Sequence, residues 1–170
     1  MYQIKTIKGD ITKVDDVQAN VNAANKSLLG GGGVDGAIHA AAGPKLLEEC
    51  MKLHGCKTGE AKITGAYDLP CEYVIHTVGP IWRGGENHED EKLVSCYRNC
   101  MKLAMEKGIR SIAFPSISTG VYHFPLQRAA EIAIRTVKEF LEENPDKFDT
   151  VEWVLFGHEA LSVYEKCLQM

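Results

Sequence analysis

No run of apolar residues in this chain approaches the roughly 20 that a membrane-spanning helix needs. The opening stretch, MYQIKTIKGD, alternates polar and apolar and lacks the apolar core of a secretory signal. The expectation is a cytoplasmic protein with no membrane partner. Basic charge is not in excess either: 19 Lys and Arg stand against 23 Asp and Glu, a formal net charge of −4. Bulk electrostatics therefore repel nucleic acid, and no basic patch interleaved with aromatics argues for one. Nucleic acid is not expected as a partner, and any anionic ligand has to be held by local geometry.

Metal signatures are missing too. The six cysteines, at 50, 56, 71, 96, 100 and 167, form no C-x-x-C, and the six histidines form no H-x-x-x-H or H-E-x-x-H. The expectation is no metal, no cofactor, and reduced, mostly buried thiols. Cys96 and Cys100 are one helical turn apart and belong on one face of a helix.

What is present suits one globular domain spanning 1–170, because 170 residues with 45% hydrophobic and 25% charged can bury a substantial core. Alternation predicts a half-buried strand over 2–8, and a short buried strand is expected over 18–23. Strands are also expected over 61–67, 72–78, 110–114 and 150–156. Helices are expected over 36–42, from Pro44 to about 53, over 89–107, from Pro125 onward, and over 159–168. The helix after Pro125 is the clearest, with Leu126, Ala130, Ala133, Val137, Phe140 and Leu141 at spacings of three and four. Strands and helices alternate, which favours an α/β sandwich around a parallel or mixed sheet.

Two loops carry the chemistry. The first runs through Gly30, Gly31, Gly32 and Gly33 to Val34, Asp35 and Gly36. It lacks the Gly-Lys-Ser/Thr ending of a nucleoside triphosphate loop. Gly31, Gly33 and Gly36 satisfy G-x-G-x-x-G, but residues 25–29 separate them from the preceding strand, so a nicotinamide-dinucleotide site is a minor alternative. Consecutive glycines let the backbone approach an anion, and the helix that follows offers its N-terminal amides. Asp35, acidic at the rim of an anion cradle, also reads as a simple helix N-cap. The second loop, Pro115 through Tyr122, follows a buried strand. There Ser118, Thr119 and Gly120 supply further hydroxyl and amide donors where α/β ligands gather.

Five stretches together resemble the macrodomain family: Gly9-Asp10-Ile11-Thr12, Asn22-Ala23-Ala24-Asn25, Gly30 through His39, Val74-Ile75-His76-Thr77-Val78-Gly79-Pro80, and Ser116 through Tyr122. Within it the chain is similar to the MacroD-type hydrolases, including bacterial O-acetyl-ADP-ribose deacetylases. The resemblance implies a three-layer α/β/α sandwich with a mixed central sheet. It implies ADP-ribose and O-acetyl-ADP-ribose as ligands and mono-ADP-ribosylated proteins as partners.

Under that resemblance Asp10 accepts from the adenine amino group, with Ile11 beside it and Phe156 stacked on the ring. Asp10 alone reads as a turn residue, and Phe156 as a core aromatic. Gly31, Gly32, Gly33 and Val34 enclose the diphosphate from one side, and Ser118, Thr119, Gly120, Val121 and Tyr122 from the other. Asn25 and Asp35 reach the distal ribose as the catalytic pair, Asp35 orienting and deprotonating a water. Asn22 is assigned to the ligand site, although the plainer reading of its amide is a bond to backbone. A free Asp, with a pKa of about 3.9, is a weak base at neutral pH, so proximity and orientation would carry much of the rate. His39 reads as a packed or backbone-bonded residue. Two stretches depart from the family pattern: Ala40 stands where Arg is common, and Gly157-His158-Glu159-Ala160 replaces a more acidic stretch. The implied function is hydrolysis of the ester at the distal ribose of O-acetyl-ADP-ribose and of mono-ADP-ribosylated Asp and Glu. The alternative is an ADP-ribose-binding module without turnover.

Overall fold

A computed structural model describes residues 2–170. Six strands, β1 (Gln3–Lys8), β2 (Ala19–Ala23), β3 (Ala61–Gly65), β4 (Tyr73–Thr77), β5 (Ser111–Phe114) and β6 (Thr150–Leu155), form one sheet in the order β1-β6-β5-β2-β4-β3. β3 runs antiparallel to β4 and every other pairing is parallel, so the sheet is mixed, as expected. Five helices cover it: α1 (Gly33–Ala42), α2 (Pro44–Met51), α3 (Glu89–Glu106), α4 (Leu126–Glu143) and α5 (His158–Gln169). A 3-10 turn at Ile11–Lys13 follows β1. Among the described residues no helix is long and apolar enough to cross a membrane, and no group of His, Cys, Asp and Glu is arranged to hold a metal ion.

Period-2 alternation sorts the strand residues between two cores. Val21, Ile75, Ile112, Phe114, Val151 and Trp153 face α3, α4 and α5. Val74, Ala113 and Val154 face α1, α2 and the 3-10 turn. The three-layer sandwich follows, because each face of the sheet needs an apolar cover. The larger core centres on Trp153, whose ring stacks on Phe114 with centroids 5.5 Å apart. Burying a side chain of this size stabilises the fold by about 2–3 kcal/mol. All six cysteines are free, and Cys96 and Cys100 lie buried on α3.

The smaller core carries polar residues in the sheet itself. Glu152 on β6 is fully buried beside Lys5 of β1, its register partner, with Lys5 Nζ 3.6 Å from Oε2. Burial, then the nearby Asp16 carboxylate, push the Glu152 carboxyl up to about 7, with Lys5 opposing. Asn20 on β2 is buried as well and donates through Nδ2 to the Ile11 carbonyl at 2.9 Å, which ties the 3-10 turn to the sheet.

Candidate functional site

Because β1, β6, β5 and β2 are parallel, the segments leaving their C-terminal ends emerge on one edge of the sheet. Those segments are Gly9–Asp10, Phe156, the loop from Pro115, and the loop from Ala24 to Gly32. Residues 146 positions apart in a chain of 170 (10 and 156) thus share one rim. Edges of this kind are where α/β sheets place their ligands.

Asp35 is the centre of the arrangement. It does not cap α1. The helix starts at Gly33, three residues earlier than expected, with Gly32 as N-cap, and places Asp35 in the first turn. Gly36 N donates to the Gly32 carbonyl at 3.3 Å and closes that turn. A side chain at Gly36 would collide with the Gly31 carbonyl, and Gly33 holds a φ of +59°, so these two positions need glycine. Released from capping, the Asp35 carboxylate turns inward and is 3% exposed. Its Oδ1 accepts from Asn22 Nδ2 at 2.9 Å. Its Oδ2 is buried with no hydrogen-bond partner in the structure.

Asn22 is fixed from behind. Its Nδ2 also lies 3.1 Å from Nδ1 of His76, its register partner on β4. Burial, reinforced by nearby His39, drops the His76 pKa to about 3, so the ring is neutral. An amide nitrogen can only donate, so His76 Nδ1 is the acceptor and Nε2 carries the proton. That proton goes to Thr64 Oγ1 at 2.9 Å, whose own hydrogen goes to the Gly65 carbonyl at 3.0 Å. A buried chain from Thr64 through His76 and Asn22 thus ends on Asp35. Asn22 does not bond to backbone, contrary to the plainer reading. In β2 its side chain lies on the face of the smaller core, where it meets the Asp35 carboxylate and the His76 ring.

Asn25 does behave as a loop-shaping amide: Nδ2 donates to the Gly30 carbonyl at 2.9 Å, and Oδ1 accepts from Ser27 N and Oγ at 3.1 and 2.6 Å. This clasp sets Gly31 between the two expected catalytic side chains. A Cβ on Gly31 would stand 3.1 Å from both Asn25 Nδ2 and Asp35 Oδ2. The N–H groups of Gly32, Gly33, Val34 and Asp35 are the four that a helix start leaves without intrahelical partners. Gly31, Gly32 and Gly33 are exposed, Val34 partly so. The helix dipole adds a partial positive charge there. Such a rim can take an anion outside and present a carboxylate oxygen at its inner end. His39 is neither backbone-bonded nor remote. Its Nε2 is 3.4 Å from Asp35 Oδ1, without hydrogen-bond geometry, and its ring faces Gly30.

The second loop is shaped by its own hydroxyls. Thr119 Oγ1 donates to Ser116 Oγ at 2.7 Å, and Ser116 in turn meets the Tyr164 hydroxyl at 2.8 Å. Ser118 has a φ of +69°, and its Oγ is buried against Gly79 without a partner, so the loop offers main-chain groups there rather than that hydroxyl. Val121 is exposed, and Tyr122 is partly buried. Asp10 accepts from Thr12 N and Oγ1 at 2.9 and 2.7 Å through Oδ1, and these bonds lower its pKa. Ile11 is buried beside it. Phe156 is 87% exposed, which excludes a core role and leaves an apolar ring on the rim. The structure thus brings all the sequence-derived site residues to one edge. Sequence reasoning missed the support from Thr64 and assigned His76 no role. A lone His in an apolar strand gives no signal of what it will face.

The sequence model of the Macro domain matches residues 21–133. A macro domain-containing protein of Chlorobaculum tepidum is 59% identical over 165 residues, covering 97% of this chain and 95% of its own length. The human ADP-ribose glycohydrolase MACROD2 is 54% identical over 165 residues, which is 96% of this chain and 39% of the human protein. Among solved structures, an Oceanobacillus iheyensis macrodomain mutant with ADPR matches with a TM-score of 0.93 at 45% identity, covering 99% of this chain and 92% of the other. A Trypanosoma brucei macrodomain in complex with ADP-ribose matches at a TM-score of 0.91 and 45% identity, over 97% and 68%. The chain belongs to the Macro domain family, and its fold is the macrodomain fold.

Proposed function

We propose that this chain is a single macrodomain that binds ADP-ribose and hydrolyses an ester at its distal ribose. The substrates are O-acetyl-ADP-ribose and mono-ADP-ribosylated Asp and Glu side chains. The observation that carries the reading is Asp35: a buried carboxylate held through one oxygen, its other oxygen unpaired at the inner end of a row of helix-start amides. A buried polar atom without a partner calls for an explanation, and a catalytic acceptor is one. The relative named ADP-ribose glycohydrolase and the macrodomain in complex with ADP-ribose support the choice of ligand.

In this reading the Gly31–Val34 amides and the main chain of Ser118–Tyr122 clasp the diphosphate. Asp10 and Ile11 receive the adenine, and Phe156 stacks on it. Asn25 places the distal ribose. A water donates to Asp35 Oδ2, loses its proton there and attacks the ester. The acyl–oxygen bond breaks and the ribose oxygen recovers a proton. The amides fix the substrate before reaction, so orientation supplies much of the acceleration.

The test is to incubate the protein with O-acetyl-ADP-ribose and follow free ADP-ribose. Asp35→Ala should lower kcat by about 100-fold or more, while ADP-ribose affinity stays within a few-fold. Unchanged turnover in the variant rejects the role of Asp35. Binding without turnover by the unaltered protein makes the chain a reader of ADP-ribose instead.

A further inference from the structure

The loop from Pro115 to Phe124 does not hold itself in place: the segment between β4 and α3 backs it at two points. Gly79 is pressed so close that a Cβ there would collide with Ser118 Oγ and stand 2.7 Å from Ile117 Cγ2. Three residues on, Trp82 N donates to the Tyr122 carbonyl at 2.8 Å, and the Trp82 ring tilts against Phe124 with centroids 4.8 Å apart. We propose that residues 79–89 are a strut that fixes the Ser118–Tyr122 loop in its ligand-binding form, with Trp82 as the positioning residue. This rests on the reading of that loop as one side of the diphosphate clasp.

The strut is itself braced from three directions. The Arg128 guanidinium of α4 lies over the Trp82 ring, 5.2 Å from its centroid, and is held there by two bonds to the Asp90 carboxylate at 2.8 and 2.7 Å. Gly85, at a φ of +91°, lets its backbone close on the far edge of the same ring, where a Cβ would stand 2.9 Å from Trp82 Cη2. Glu89 gathers the turn beneath. Its carboxylate accepts from the backbone N–H of Arg83, Gly85 and Asn87 at 2.8, 3.0 and 2.6 Å. Burial alone would raise the Glu89 pKa, but these bonds outweigh it and pull it down to about 2. A loop containing Gly84 and Gly85 would otherwise be among the most mobile in the chain. Here its backbone donors converge on one buried acid, its ring lies between Arg128, Gly85 and Phe124, and the segment meets the rim at Ile117, Ser118, Tyr122 and Phe124. Nothing in residues 79–89 reaches Asn22, Asn25 or Asp35 among the hydrogen bonds of the structure, so the strut acts on binding rather than on the chemical step.

Trp82→Ala in the full chain tests this with two readouts. In the ligand-free protein, amide hydrogen exchange across 118–124 should speed up by about 10-fold, while exchange across 25–35 stays unchanged. KM for O-acetyl-ADP-ribose should rise by about 10-fold with kcat within about 3-fold, and Trp82→Phe should recover most of both. Unchanged exchange and KM overturn the proposal, as does faster exchange spread evenly over both loops. If the alanine variant does not fold, Glu89→Gln, which leaves one acceptor oxygen where three donors now share two, is judged by the same criteria. If the unaltered protein does not turn over the substrate, the functional reading fails. The exchange result then still decides the strut.

Discussion

Asp35 has one oxygen held and the other without a hydrogen-bond partner, and Asn22 makes that division possible. The Asn22 amide gives one hydrogen to Asp35 Oδ1 and the other to neutral His76, so the carboxylate has one fixed orientation. Asn22→Ala removes that bond and leaves a buried carboxylate less well satisfied. The expected cost is about 1–3 kcal/mol of stability, measured by urea unfolding. In the proposed reaction the same change should depress kcat more than it raises KM, because the substrate amides are untouched and only the aim of Oδ2 is lost. A second residue-scale test concerns Phe156. Exposed as it is, Phe156→Ala should leave the unfolding midpoint in place and weaken ADP-ribose binding by about 1–3 kcal/mol, the usual worth of an aromatic stacked on a base. Equal affinity in a calorimetric titration would remove Phe156 from the site.

At the scale of elements, the pairing of β1 with β6 places Lys5 beside Glu152, and Lys5 also reaches Asp16, so one cation stands between two acids. The folded pKa of Glu152, about 7, lies above its ordinary 4.5. As pH rises between these values the unfolded chain gives up the proton first, so stability falls across that window and levels off above it. The full penalty is about 3 kcal/mol by the shift alone. Glu152→Gln should flatten the slope and leave the variant more stable than the parent at pH 8, measured by urea unfolding at pH 5 and 8. The elements differ in how far their sequence disclosed them. α4 declared itself through Leu126, Ala130, Ala133 and Val137, because one apolar stripe facing one core is a purely local pattern. β1, with its alternation, was equally plain. The start of α1 was not: glycine has no side chain to bias the helix boundary, so whether Asp35 caps the helix or turns inward depends on Asn22, thirteen residues earlier. The 3-10 turn and the buried positions of Asn20 and Glu152 were hidden for a related reason. Polar letters inside a strand read as solvent-facing until the opposite layer is known. The loop residues of the candidate site were named through family resemblance, whereas the contacts of Thr64 with His76 and of Trp82 with Tyr122 are tertiary and leave no local pattern.

For the molecule as a whole, the site is assembled from chain segments with different dependence on the fold. The stretch matched by the family, 21–133, carries Asn22, Asn25, the glycines, Asp35 and the second loop. Asp10 and Phe156 lie outside it, just past the first strand and just past the last, and they come together because Gln3 through Lys8 register with Thr150 through Leu155. β1 is a sheet margin with a single neighbour, and margins open at lower free energy than centres. β1 and β6 therefore form a seam; in the proposed binding mode Asp10 and Phe156, which receive the adenine, flank it, while Asn22, Asn25 and Asp35 lie away from it. Under the proposed function, gentle warming should unpick the seam first, so that ester cleavage persists after discrimination between nucleobases is lost.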